Sequence, residues 1–432
     1  LNPKKVLILT YYWPPSGGSG VQRWVKFCKY LPDFGIEPIV LTVQNGTYPL
    51  LDTSLQNEVA HNLEVHKTNS IEPYHLFSKF TGKSVKQVSN PSNAFNTNGS
   101  WKQKLGVWLR SNFFIPDARL GWVPSARKKA TEILEANDID TVITTGPPNS
   151  THLIGKYLKE KKSSLKWIMD MRDPWSQIFY NKSLPRVPLA SHIDLHLETQ
   201  CLKKADEVVV ISNKMLKLQT KIVNRSYTVI TNGFDHSDFT NTVESKSSDF
   251  FTIKYVGSMS INAIPHNFFK AISKLPAQLK TKLKIQFTGT YSSEIHSIIN
   301  QYGVSELIEF QDYLPHLEAK KEMKNADLLL LTIPNTTDSE ILTTGKIFDY
   351  IASQVPIICI GPLKGEAAFI IDEYQLGRTY DYDEVEALSK DLVSAVNENN
   401  FLYQKWETDL QHHPFSRLSL TKVYANLIHN QA

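Results

Sequence analysis

The chain has 432 residues, 41% of them hydrophobic and 21% charged, and its formal net charge is +4. That length points to two or three domains able to bury full-sized cores, and so small a charge gives no ground for a nucleic-acid partner. The longest apolar runs, such as 6–9 and 328–331, are strand-sized, well short of the roughly 18 residues that suggest a membrane span.

The first element in chain order is a strand over 6–11, entered at once through Lys4-Lys5. This leaves no room for a secretory leader and predicts a cytoplasmic protein, soluble or peripheral at the inner face of the cell membrane. The strand runs into Tyr-Tyr-Trp-Pro-Pro-Ser-Gly-Gly-Ser-Gly-Val-Gln-Arg (11–23), and a helix follows. Glycines at such a turn let backbone N–H groups approach an anion, and the helix N-terminus adds positive potential. The alternative is a tight turn that needs Gly17 and Gly18 for packing. Gly17, Gly18 and Gly20 do not fit Gly-x-Gly-x-x-Gly, which disfavours a dinucleotide fold.

A second strand is expected over 38–43. The interval 73–116 then holds no Asp or Glu, carries Lys79, Lys83, Lys86, Lys102, Lys104 and Arg110, and is studded with aromatics that include Trp101, Trp108 and Phe113. It is either an irregular insertion with some aromatics in the core, or a basic aromatic surface for a membrane or an anionic, lipid-linked acceptor. Strands are expected next over 141–145, 166–171, 207–211 and 227–230. His152, after Pro-Pro-Asn-Ser-Thr, falls in a helix's first turn at a strand's C-terminal edge, where α/β sheets bind ligands. It faces an acceptor there or packs. Arg172 suits a phosphate or a sugar, and Asp173 a sugar hydroxyl; Asp170 and Asp173 equally suit holding the turn before Pro174.

The polar stretch 238–250 lacks either period and reads as a linker. Beyond it, strands are expected over 253–256, 283–287, 307–310, 328–332 and 356–360. Runs of Val, Ile and Leu that do not alternate with polar residues suit strands covered on both faces, and strands separated by helices make parallel, doubly wound sheets. The expected fold class is α/β, with two Rossmann-like domains facing a cleft: 1–237 and 251–411, with 412–432 forming a last helix that packs back on the first. In Ser-Glu-Ile-Leu-Thr-Thr-Gly-Lys-Ile-Phe-Asp-Tyr (339–350) a polar loop enters a helix near Gly345. A helix start with Thr344, Gly345 and Lys346 suits a diphosphate. Asp349, one turn on, suits ribose hydroxyls; the plain alternative is an exposed Lys346–Asp349 pair. Asp138-Ile-Asp140 and Asp381-Tyr-Asp383 precede a strand and a helix and read as solvated loops. Cys28, Cys201 and Cys359 form no Cys-x-x-Cys, and His66, His412 and His413 lack ligand spacing, so no metal site or disulfide is expected.

Taken in order, several segments resemble the GT-B glycosyltransferases of the family 4-like group. They are the opening turn 11–23, Thr-Gly-Pro-Pro-Asn-Ser-Thr-His (145–152), Asp-Met-Arg-Asp-Pro-Trp (170–175), Ala-Asp-Glu-Val-Val-Val-Ile-Ser (205–212), Ile-Thr-Asn-Gly-Phe-Asp (230–235), Tyr-Val-Gly-Ser (255–258) and 344–361. The resemblance implies retaining, metal-independent transfer from a UDP- or GDP-linked sugar, with no cofactor, to a glycan or lipid-linked acceptor of cell-surface polysaccharide or glycolipid synthesis. It implies donor contacts from Gly17, Gly18, Gly257, Ser258, Gly289, Tyr313, Leu314, Thr344, Gly345, Lys346 and Asp349. Catalytic roles are implied for His152, Arg172, Asp173 and Glu340.

The chain departs from the family in three places. Glu340 and Asp349 stand nine apart where the family has two Glu eight apart. Ser258–Ala263 supplies neither the Arg nor the Lys found there in many members, which shifts the diphosphate contacts onto Lys346 and helix N–H groups. Arg172-Asp173 stands where many members have a His. Two rival readings share the architecture: a sugar-nucleotide epimerase, and a non-catalytic binding module.

Overall fold

The computed structural model describes residues 3–74, 101–178, 181, 184–240, 250–398 and 408–429. Lys79, Lys83, Lys86 and the middle of the basic interval lie outside the described residues, as does 241–249 of the expected linker. The chain divides into two compact units, Leu1–Asn232 with Arg417–Ala432, and Gly233–Ser416.

The first unit is built on seven strands: β1 (Lys4–Leu9), β2 (Ile36–Val43), β3 (Glu64–Thr68), β4 (Thr141–Gly146), β5 (Lys166–Met171), β6 (Glu207–Val210) and β7 (Thr228–Val229). Their spatial order is β3-β2-β1-β4-β5-β6-β7, and every pairing is parallel. The second unit has six: β8 (Phe251–Val256), β9 (Leu283–Thr288), β10 (Ile308–Gln311), β11 (Leu328–Thr332), β12 (Ile357–Ile360) and β13 (Gly377–Tyr380). They are ordered β10-β9-β8-β11-β12-β13 and are likewise all parallel.

The apolar runs explain this layering. In Leu328–Leu331, Leu328 and Leu330 join one core cluster with Phe268, Phe269 and Leu392. Leu329 and Leu331 join another with Ile347, Phe348 and Ile351. Successive side chains leave a strand on opposite faces, so an unbroken apolar run demands helices on both. Two strands were not expected from sequence, β3 (Glu-Val-His-Lys-Thr) and β13 (Gly-Arg-Thr-Tyr). Both are edge strands, and edges carry charged residues that blunt further pairing.

Each sheet reverses its strand order once, between β1 and β4 and between β8 and β11. Helices after the two strands of such a point leave toward opposite faces and open a crevice at the strands' C-terminal ends. The passage between the units comes earlier than the polar stretch 238–250 proposes: Phe234 and Phe239 are 1% exposed and pack in the second unit's core. The helix Arg417–His429 belongs to the first unit. There Leu420, Tyr424 and Ile428 share a cluster with Trp24 and Phe27.

Candidate functional site

In the second unit, β8 ends at Val256 and the chain turns through Gly257, whose φ is +130°. The Gly257 N–H donates to Thr288 O at 2.8 Å, and the Gly289 N–H to Gln311 O at 3.0 Å. The two glycines stack at the sheet edge: a Cβ on Gly289 would lie 2.4 Å from Gly257 O. On the other side of the reversal point, the chain leaves β11 and enters the helix Lys346–Ser353. That helix forms because Ile347, Phe348, Tyr350 and Ile351 make one buried stripe. The Tyr350 hydroxyl also accepts the Val256 N–H at 3.0 Å. Gly345 is its N-cap and makes no side-chain cap bond; the Ile347 N–H donates to Thr344 O at 3.2 Å and the Phe348 N–H to Gly345 O at 3.3 Å.

Lys346 reaches back across the reversal point. Its Nζ donates to Ser258 O at 2.9 Å and lies 5.2 Å from the Tyr255 ring centroid. A Cβ on Gly257 would come within 2.3 Å of Lys346 Cε. The glycine thus provides both the backbone conformation and the space the lysine occupies. Burial pushes the Lys346 ammonium down to about 8. Thr344 Oγ1, beside the cap, is buried with no hydrogen-bond partner. The Ser258 hydroxyl accepts from Thr290 Oγ1 at 2.8 Å.

Gly257, Ser258, Gly289 and Lys346 therefore come together, with Thr344 and Gly345 at the helix start. The other expected residues of this unit have contacts of their own. Asp349 is turned toward Lys320, its Oδ1 4.0 Å from that Nζ, and makes no pair with Lys346. Lys320 itself pairs with Asp238. Glu340 is exposed, and its carbonyl accepts the Glu366 N–H at 2.9 Å. Tyr313, 63% exposed, and the half-buried Leu314 lie beyond β10.

In the first unit, Gly17 and Gly18 form the turn before the helix Ser19–Tyr30, with the Gly17 N–H donating to Leu50 O at 3.0 Å. Arg172 lies over the start of this helix. A Cβ on Gly20 would sit 1.5 Å from its Nη1, so only glycine admits the guanidinium. Arg172 Nη2 donates to Pro147 O at 2.8 Å, and its backbone N–H to Gly146 O at 3.0 Å. Asp173 is half-buried; burial raises its pKa, with the Arg172 charge opposing.

His152 is fully enclosed. Its Nδ1 lies 2.9 Å from Thr144 Oγ1, which also accepts Trp167 Nε1–H at 2.9 Å. Nε2 has no hydrogen-bond partner and points at the backbone of Gly146, where a Cβ would lie 2.4 Å away. Burial pushes its pKa down to about 3, so the ring stays neutral. With no exposure and its ring 6.0 Å from that of Trp175, His152 is packed in the first unit.

The sequence did not reveal the network beneath this loop. Asp170, with no exposure, accepts from Arg23 Nη2 at 3.0 Å, Trp24 Nε1 at 2.8 Å, Thr145 Oγ1 at 2.9 Å and Tyr424 OH at 2.5 Å. Burial opposes its ionisation, but Arg23 and the hydroxyl and indole donors outweigh this and hold its pKa below the ordinary carboxyl value. Arg23 also donates to Thr231 O at 2.5 Å and Ile230 O at 2.9 Å. The available signal was Arg23 itself, a charge on the apolar face of a helix, which requires a buried acid. Among the described residues no group of three or more His, Cys, Asp or Glu could hold a metal ion. No described helix is long and apolar enough to cross a membrane.

Two parallel sheets of this order, each with its ligand-type edge, define the GT-B fold. No family model matches the sequence, and no curated protein matches it. Solved structures do share its backbone. Anabaena Alr3699/HepE in complex with UDP and glucose is 13% identical, with a TM-score of 0.61 over 99% of this chain and 100% of that one. Sucrose-phosphate synthase from Thermosynechococcus elongatus is 10% identical, with a TM-score of 0.64 over 99% and 98%. A glycosyltransferase from Rickettsia africae ESF-5 is 15% identical, with a TM-score of 0.58 over 100% of each chain. At these identities the likeness is one of fold.

Proposed function

We propose that the protein is a glycosyltransferase that takes a sugar from a UDP- or GDP-linked donor held by the second unit. The observation that carries this reading is Lys346, whose ammonium stands at the reversal point between Ser258 O and an uncapped helix start. An ammonium has three donor hydrogens, and one is used here. The others, with the Thr344 hydroxyl and the positive end of the helix, suit the oxygens of a diphosphate. Donors fixed in advance at a leaving diphosphate stabilise its developing charge, which supports transfer without a metal or other cofactor. Retention at the anomeric carbon, with Glu340 toward the donor sugar and Arg172 and Asp173 on the acceptor side, belongs to the same proposal.

The acceptor is a glycan or lipid-linked molecule, in cell-surface polysaccharide or glycolipid synthesis. Contact with the inner face of a membrane is supported by the helix Trp101–Phe113, which exposes Trp101 by 67% and Phe113 by 66% beside exposed Lys102 and Lys104. Aromatic and lysine side chains suit a lipid interface.

Thermal unfolding with added UDP or GDP in EDTA tests the donor site, because a ligand that binds the native state raises the melting temperature. Either nucleotide is expected to raise it, and Lys346→Ala to remove most of the rise. A rise that requires a divalent cation overturns the metal-free mechanism. Because the ammonium is the binding form and deprotonates near 8, nucleotide affinity is expected to fall as pH rises through that value, and to fall less in Lys346→Ala.

A further inference from the structure

At the reversal point of the first sheet lies a pocket of about 100 Å³ that the donor reading leaves unassigned. Tyr12, after β1, and Pro147, after β4, form part of its wall. The helix Trp101–Phe113 and the chain beyond it contribute Arg110, Phe114 and Arg119, and Arg186 closes the side. Three arginines thus line one small cavity.

Each is held in place. Arg119 is 3% exposed, with Cζ 4.8 Å from the Tyr74 ring centroid and 5.7 Å from that of Tyr12. Arg110 Cζ lies 5.6 Å from the same Tyr74 ring. Arg186 pairs with the buried Asp194 and donates to Ser111 O and Pro116 O, both at 3.2 Å. Asp117 is the one carboxylate lining the pocket, and its charge acts on Arg110 and Arg119. It accepts from the Ser150 N–H and hydroxyl, both at 2.8 Å, and from the Arg119 N–H at 2.9 Å. Burial lowers the pKa of the Arg110 guanidinium, and the Arg119 charge acts in the same direction against Tyr74. A bound anion relieves both effects.

Guanidinium forks match the oxygens of a phosphate, and the Phe114 and Pro147 surfaces suit the carbon skeleton that carries one. Pro147 O is also the acceptor for Arg172, so the pocket wall is tied to the loop that carries Arg172 and Asp173. We propose that this pocket binds a phosphate ester on the acceptor. The word acceptor rests on the transferase reading above; the binding of a phosphate ester does not.

The test is thermal unfolding of the full chain with glycerol phosphate, decyl phosphate or sodium chloride at matched ionic strength. A saturable rise with glycerol phosphate assigns a soluble phosphate ester, and a rise with decyl phosphate alone assigns a lipid one. Arg110→Gln is expected to weaken the apparent affinity at least about tenfold. Val107→Glu, which adds a carboxylate to the lining and removes no arginine, is expected to do the same should Arg110→Gln not fold. Lys129→Gln, at an exposed helical pair, and Lys346→Ala leave phosphate-ester binding unchanged. Conversely, Arg110→Gln keeps the response to UDP or GDP, so loss of the donor reading and loss of this one are told apart. The proposal is overturned if neither ester stabilises the protein, or if the rise survives in both pocket variants.

Discussion

Asp170 and Arg23 show how one residue pair anchors the first unit. Neither is exposed, and the Asp170 carboxylate collects four side-chain donors from three segments of chain. Removing one partner strands a buried charge, at a cost of about 3–5 kcal/mol. Asp170→Ala is therefore expected to lower stability by that amount in urea unfolding, and Tyr424→Phe by about 1 kcal/mol. Glu198 makes a different prediction. It is fully buried, accepts the Ser176 N–H at 3.1 Å, and sits near Asp194 and Gln219; burial pushes its pKa from 4.5 up to about 7. The folded state therefore holds a proton that the unfolded chain releases, and the contribution of Glu198 to stability is full below pH 4.5 and is lost as pH rises through about 7. Glu198→Gln is expected to abolish that decline, a relative gain on the order of 3 kcal/mol at neutral pH and above. Comparing variant and wild type at each pH isolates it from His152, whose depressed pKa acts oppositely, removing stability as pH falls from 6.5 toward 3. At this scale the sequence spoke unevenly. The position of Lys346 at a helix start was legible because a helix start is marked by neighbouring residues. The partners of Asp170 were not, since Tyr424 and Arg23 come from opposite ends of the chain.

Among elements, the turn after β8 is the most constrained. Gly257 has a positive φ of 130°, and its missing Cβ is the space for Lys346 Cε. Gly257→Ala is expected to cost about 1–3 kcal/mol through backbone strain, and to weaken nucleotide binding by displacing the lysine; calorimetry and nucleotide titration read the two effects separately. Central strands were readable because their uninterrupted Val, Ile and Leu runs need cover on both faces. β3 and β13 were not, because an edge strand with one neighbour tolerates Glu, Lys or Arg at positions that a central strand must keep apolar. The asymmetry is physical: sequence pattern reports burial, and edges are the least buried part of a sheet.

For the molecule as a whole, the number of sheets and their α/β class followed from counting strands. The limits of the units followed less well. Phe234 reads as the end of the first domain and Phe239 as part of a polar passage until their packing in the second unit is seen, because burial supplied by distant segments leaves no local period. The helix Arg417–His429 gives the clearest test. Truncation after Ser416 uncovers Trp24 and Phe27 by removing Leu420, Tyr424 and Ile428. It is expected to cost the first unit roughly 5 kcal/mol while leaving the second unit's unfolding transition in place, which differential scanning calorimetry can resolve.

The same helix sets an order of events during translation. A ribosome that has released residue 232 has not yet made the Tyr424 hydroxyl that Asp170 accepts from, nor Ile428, which shares its cluster with Trp24 and Phe27. The first unit emerges first yet finishes second. Throughout the synthesis of the intervening unit, Trp24 and Phe27 lack their cover, and a nascent chain stalled near residue 416 presents that apolar face to whatever chaperone is at hand.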